Sequence, residues 1–594
     1  MNSVSVTGKN WILRKFDQEE IIYLKDNFFL DEITAKLLVL RNIKKEDIKS
    51  FLNPSIKNFL PNPNTLLDME KSTLRTLKAI SNKEKIGVFG DYDVDGATST
   101  ALLGRFFDEL KLNYEIYIPD RKTEGYGPSI KAFKQLIENN VKIIFTVDCG
   151  TLSFEAIDYA KSKNIDVIVL DHHQSEINLP KAYSVINPNR LDDKSNLEYL
   201  CAAGVTFMFL VSINRHLRLN GWFNKNVIDE PNLINYLDLV SLGTVCDVVP
   251  LIGLNRAIVK QGLQILKAKK NLGLKTLLDI CKIEVSPSIY HLGYILGPRI
   301  NAGGRVGKCS HGANLLLNSN PKEVYKLATE LDQFNNERKM LEKDLVEKIL
   351  TESQVNSRDP VLILKGKNWH EGVIGIVAAR LKDKFNKPTI IISINGDIGK
   401  ASARSIFGFD IGSAIISATQ EKILLKGGGH KMAGGFSINI SNIERFKQFI
   451  FGKFRKINEN LFEKKPLFLD SKIAPSAINL EFYNKVNALS PFGSGNPEPK
   501  FIVEDLKQVN SKIVGEKHIK SVLVGPEGTS LKTIAFNATD NELGAYLLKK
   551  NNKLFNIAGK LSLNEWRGQK NVEFIIDDIS VNKNHKNTVP SSIG

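Results

Sequence analysis

The chain has 594 residues, enough for roughly four domains of about 150 residues each. Its composition, 42% hydrophobic and 25% charged, supplies ample core for globular domains. Eighty-one basic against 65 acidic residues leave a formal charge of +16, which favours a polyanionic partner, nucleic acid above all. Five cysteines stand singly at 149, 201, 246, 281 and 309, which excludes a thiolate zinc framework or a disulfide scaffold and fits a reducing cytosol.

In chain order, MNSVSVTGKNWILRKFDQEE has no apolar leader-like stretch, and no run approaches a membrane span, so a cytoplasmic protein is expected. Residues 1–78 mix short helical patterns with the Pro/Asn-rich NPSIKNFLPNPNTLLDME and read as a wrapping segment. From 85 to about 200, strands IGVFG (86–90), KIIFTV (142–147) and DVIVL (166–170) alternate with helical patterns. That alternation predicts βαβ units and a parallel sheet within 79–320. Pro321 opens a long amphipathic pattern carrying Val324, Leu331, Leu345 and Ile349, a connecting helix over 321–358. A second α/β domain is expected at 359–460, with strands VLILKG and PTIIISI. Five β-rich segments within 461–583 predict a small barrel of OB type, and 584–594 read as a disordered tail.

The chemistry sits at the strand ends. IGVFG runs into Asp91, Asp93 and Asp95, KIIFTV into Asp148, and DVIVL into Asp171, His172 and His173. An EF-hand calcium loop starting at Asp91 would need a glutamate at its twelfth position, where Leu102 stands. In an open parallel sheet the carboxyl ends of the strands share one edge, so these clusters should meet there, with Asp247 of TVCDVVP in reach. Carboxylates with imidazoles suit Mn²⁺ or Mg²⁺, and so many acids call for two ions, the arrangement that hydrolyses phosphate esters.

GDYDVDG, VDCG, DHH and the aspartate of TVCDVVP resemble the four motifs of the DHH phosphoesterase superfamily, in the same order and with similar spacing. GGGHKMAGG (427–435) resembles its DHHA1 signature. SARS (402–405) and the trailing β domain narrow the likeness to the RecJ single-strand-specific exonucleases, over roughly residues 50–580. The resemblance implies processive 5′-to-3′ degradation of single-stranded DNA to mononucleotides with two Mn²⁺ or Mg²⁺ ions, in DNA repair and recombination. It implies Asp93, Asp95, Asp148, His172 and Asp247 as metal ligands, Asp91 as an additional carboxylate and His173 as the group near the scissile phosphate. Many superfamily members carry a histidine ligand where this chain has Phe89, which leaves the ligand count of one ion open.

For the DNA, GGGH (Gly427, Gly428, Gly429, His430) reads as a turn whose bare N–H groups form an anion nest. The resemblance assigns Ser402 and Arg404 to the 5′ phosphate, while Arg121, Arg299 and Arg305 are further clamp candidates. The region from 461 carries 18 basic and 14 acidic residues, too small a surplus to mark a polycationic surface. Its aromatics Phe501, Phe536, Trp566 and Phe574 are stacking candidates, most of them expected in the core. A cleft between the two α/β regions too narrow for duplex would explain strand selectivity. The expected partner is single-stranded DNA, with a helicase and a single-strand-binding protein as further candidates, no membrane, and the chain acting as a monomer. The rivals are a phosphodiesterase for short oligonucleotides or cyclic dinucleotides and a scaffold without catalysis. The β domain argues against the first and the intact acidic set against the second.

Overall fold

The computed structural model describes residues 3–121, 123–352, 355–356, 358–456, 465–549, 553–566 and 569–582. The expected tail 584–594 lies outside them, and no helix among the described residues is long and apolar enough to cross a membrane. They group into two compact units, 55–459, and 1–54 together with 460–594.

Unit 55–459 opens on a sheet of β1 (Ile86–Gly90), β2 (Tyr114–Tyr117), β3 (Ile143–Val147), β4 (Asp166–Leu170) and β5 (Ser184–Ile186). All strands are parallel, in the order β2-β1-β3-β4-β5. Helices cover both faces, which is why every residue of β1 and β3 is buried and Thr146 is the one polar side chain in them. The two strands that sequence reading missed are the edges. YEIY is half-buried along its length, and SVI is only three residues long. The strand order reverses between β1 and β3, and that switch point is where such sheets take ligands. Helices α1 (Val94–Glu109), α2 (Ala202–Leu219), α3 (Leu237–Cys246) and α4 (Gly297–Val306) build around this edge.

Next comes α5 (Pro321–Thr351), 31 residues or about 46 Å long. Asn320 caps it, accepting from the N–H groups of Lys322 and Glu323. One stripe of this helix enters two cores. Val324, Ala328 and Leu331 belong to the first lobe, Leu345 and Ile349 to the second. The helix ends at Thr351, short of the expected 358.

The second lobe contains β6 (Leu362–Lys367), α6 (Glu371–Phe385), β7 (Thr389–Asn395), β8 (Ile398–Arg404), α7 (Ile411–Gln420), β9 (Lys426–His430) and β10 (Ala433–Asn439). Its sheet runs β9-β10-β8-β7-β6, with only β6 and β7 parallel. This corrects one expectation. GGGH is an edge strand paired to β10, and the reversal falls on Lys431 and Met432.

In the other unit, β11 (Phe501–Val514), β12 (His518–Val524), β13 (Ser530–Ala535), β14 (Phe555–Trp566) and β15 (Gln569–Asn582) close in the order β11-β12-β13-β15-β14 and back to β11. This is a five-stranded barrel. Residues 1–54 are built into it: Ile21, Leu24, Leu37 and Leu38 share its core, and Ser3–Ser5 pair with Ser580–Asn582. A single segment over 1–78 is therefore not what forms. The chain divides at Pro54, and the helix Met69–Ser81 runs across the expected boundary because Met69, Ala79 and Ile80 are buried in the first lobe.

Candidate metal centre and phosphate-binding surface

Each acid at the sheet edge is aimed by a specific backbone device. Asp93 is the N-cap of α1, its Oδ1 accepting from the N–H groups of Asp95 (2.8 Å) and Gly96 (3.1 Å). Asp95, in the first turn, is buried, and its carboxylate accepts from Ala202 N (2.6 Å) and Ala203 N (2.9 Å) at the start of α2. A Cβ on Gly243 of α3 would lie 2.7 Å from Asp95 Oδ1, so glycine there is what makes room for the carboxylate. Asp148 leaves β3 with φ at +61°, a left-handed conformation that aspartate tolerates better than most residues. Asp247 is the C-cap of α3.

These groups converge. Ligand atoms of Asp91, Asp93 and Asp148 lie within 4.8 Å of one another, and so do those of Asp95, His172 and Asp247. The two triads share no residue. His172 links them, with Nε2 3.2 Å from Asp148, 3.7 Å from Asp95 and 3.7 Å from Asp247. A third triad joins Asp148, His172 and His173. Phe89 turns away from all of them, buried against Tyr117 and Phe133.

Burial, and then the neighbouring carboxylates, push Asp91 and Asp247 up to about 8. Burial raises Asp95 and Asp148 as well. Asp91 Oδ1 is buried with no hydrogen-bond partner. A carboxylate set that resists joint ionisation, with an orphaned oxygen inside it, fits divalent cations. Its hard oxygen and imidazole donors suit Mn²⁺ or Mg²⁺.

Hydrogen bonds from behind fix the histidines. Asp171 accepts from His172 N (2.7 Å), His173 N (3.2 Å), His173 Nδ1 (2.7 Å) and Thr151 N (3.0 Å). Burial works against charge on His173, but the Asp171 bond prevails and lifts it to about 9. Asn187 donates to the His173 carbonyl (2.8 Å), Asn189 donates to that of His172 (2.5 Å), and the Tyr126 hydroxyl donates to the Asp148 carbonyl (2.9 Å). Sequence reasoning passed over Asn187, Asn189 and Tyr126, although the NPN following β5 offered a signal.

The arginines separate. Burial lowers Arg305 to about 10, as do the charges of Arg121, Arg338 and Arg404 around it, against the pull of Asp93. Arg338, unforeseen among these neighbours, is itself paired with Glu342 (3.0 Å). Arg299 is diverted into an ion pair with Asp332 (2.8 Å). Ser402 and Arg404 are in contact (3.3 Å), and Gly375 of α6 packs over them. The register across β8, β10 and β9 sets Ser402, Gly435 and Gly428 in one row and Arg404, Ala433 and His430 in the next, on the same face. Nothing stands within 4 Å of where a Gly428 Cβ would be. Gly427 instead faces α7 on the opposite side, where a Cβ would press on Ile415, and Gly429 shares that face. The glycine run is therefore half open shelf and half helix packing. In the barrel, Phe501 and Phe574 are buried, Phe536 is exposed, and the Trp566 side chain lies outside the described residues.

Family models match three stretches: the DHH family N-terminal domain at 85–244, the DHHA1 domain at 358–456 and the RecJ OB domain at 469–578. The chain is 36% identical over 543 residues to the single-stranded-DNA-specific exonuclease RecJ of Escherichia coli (strain K12), covering 89% of this chain and 92% of that protein. It is 30% identical to the RecJ of Bacillus subtilis (strain 168), over 96% of this chain and 71% of that one. RecJ of Thermus thermophilus, crystallised with Mn²⁺, superposes with a TM-score of 0.79 at 26% identity, covering 96% of this chain and 79% of that structure.

Proposed function

Since this chain belongs to the RecJ family of single-stranded-DNA-specific exonucleases, we propose that it trims single-stranded DNA from the 5′ end to mononucleotides, in DNA repair and recombination. The observation that carries this reading is the pair of disjoint ligand triads at one sheet edge. Its cofactors are two divalent ions, Mn²⁺ or Mg²⁺, held by Asp91, Asp93 and Asp148 and by Asp95, His172 and Asp247. When bound, such ions polarise the phosphoryl oxygens and make water nucleophilic near neutral pH.

The side chains do the rest. Asp148 and His172, 3.2 Å apart, hold the two ligand sets at one spacing. His173, charged at neutral pH and fixed through Nδ1 by Asp171, offers its Nε2 proton to the leaving oxygen. Arg305, Arg404 and Ser402 receive the terminal phosphate, with Gly428 and Gly435 leaving the backbone bare beneath it. The two lobes touch where Arg305 Nη1 donates to the Gly372 carbonyl (3.1 Å).

The oligonucleotide or cyclic-dinucleotide phosphodiesterase reading is weaker, because it leaves the OB domain without a task. The scattered free cysteines suit work in the cytoplasm, where a helicase and a strand-coating protein would present the substrate to a monomeric enzyme. Product analysis on 5′- and 3′-labelled single strands with Mn²⁺, Mg²⁺ or chelator tests the reading. Mononucleotide release from the 5′ label, abolished by chelator, is expected. Equal rates on blunt duplex would contradict it.

A further inference from the structure

One turn of π-helix, His291–Leu296, interrupts the helical run leading into α4. Such turns are rare and recur at functional sites. Tyr290 and Tyr294 stack on one another there, centroids 5.3 Å apart and planes at 24°. They remain 61% and 72% exposed. A single exposed tyrosine is unremarkable, but a preformed aromatic pair standing in water is a surface that a third ring can extend.

Its position gives it a use. The π turn packs on the end of α3, the helix capped by Asp247. Cys246 Sγ lies 3.5 Å from the Leu292 carbonyl, and a Cβ on Gly293 would stand 3.5 Å from Val245. Asp247 is followed by Val248, which is exposed and carries a left-handed φ of +61°. On the other side, Arg299 lies one turn along in α4, and it and Arg338 are the cations that depress Lys339 after burial itself. Asp332 is taken by Arg299 (2.8 Å) and Glu342 by Arg338 (3.0 Å), which leaves the exposed Lys339 as the cation of that flank offered to solvent.

We infer that Tyr290 and Tyr294 are a base-stacking platform for the DNA strand outside the metal centre, with Lys339 meeting its phosphates. Aromatic rings beside a basic track are how single strands are held without regard to sequence. The inference rests on the nuclease reading but asks more of the surface: it predicts that affinity grows with strand length through these two rings.

The test is anisotropy of labelled single strands, a trinucleotide and a 20-mer, on chains also carrying Asp148→Asn to stop cleavage. The Tyr290→Leu/Tyr294→Leu variant should shrink the ratio of long-strand to short-strand affinity about tenfold. The Tyr290→Phe/Tyr294→Phe variant should keep it. A 2-aminopurine placed along the 20-mer should lose quenching at one position in the leucine variant alone. An unchanged ratio in that variant overturns the platform while leaving the nuclease intact. Failure of the tyrosine-intact chain to bind either strand overturns both.

Discussion

The two α/β lobes of unit 55–459 solve opposite problems. The first gathers carboxylates and binds each in place: Asp95 by the start of α2, the histidines by Asp171, and the histidine carbonyls by Asn187 and Asn189. The second presents a face from which side chains have been removed, Gly428, Gly435 and Ala433, edged by Ser402, Arg404 and His430. The groups proposed to hold ions are over-determined, whereas the surface proposed to receive the polymer is bare and bordered by Arg404.

The contrast breaks most sharply at Asp148. Asp148→Asn should lower turnover about 1,000-fold, the several kcal/mol that metal-based charge stabilisation supplies, while strand binding survives. Steady-state kinetics and anisotropy on one preparation check both halves. In the second lobe, Arg404→Gln should cost about 2 kcal/mol, roughly 30-fold, on 5′-phosphorylated strands. Most of that loss should vanish on 5′-hydroxyl strands, and Arg404→Lys should rescue poorly because lysine lacks the planar fork. Asn187→Ala tests the bonds that hold the histidines from behind. It should weaken Mn²⁺ affinity about tenfold, read by titration calorimetry.

The mildest effect concerns pH. Burial holds Asp91 and Asp247 near 8 in the ion-free protein, against about 4 unfolded. Between those values the folded state binds more protons than the unfolded one, so thermal stability with chelator should fall as pH rises from about 4 to about 8. Mn²⁺ should flatten that slope and release protons on binding. A chelated protein that gains stability across this window contradicts the burial assigned to the cluster.

Much of the first lobe was legible because buried parallel strands are unbroken apolar runs, so the residue after each run had to reach the shared edge. Asp91, Asp148 and Asp171 follow from that alone. Asp247 was legible only as the end of a helical pattern. Edge strands were not legible, since Tyr114–Tyr117 is half-buried and carries no clean pattern. Arg299 and Arg305 look alike in LGPRINAGGR, but only folding brings Asp332 to one and the Gly372 carbonyl to the other. The glycine run misled for a related reason: composition shows that side chains are missing, not which face of a strand they are missing from.

The helix Pro321–Thr351, buried at one end in each lobe, acts as a ruler with an angular scale. Inserting one residue between Leu331 and Leu345 would advance one lobe about 1.5 Å and swing it about 100° around the axis, breaking the contact between Arg305 and Gly372. Seven inserted residues would restore the heading but separate the lobes by about 10 Å. Length changes in this stretch should therefore be lethal to catalysis even where each lobe still folds, and the distance between acid and arginine is set by counting residues as much as by choosing them.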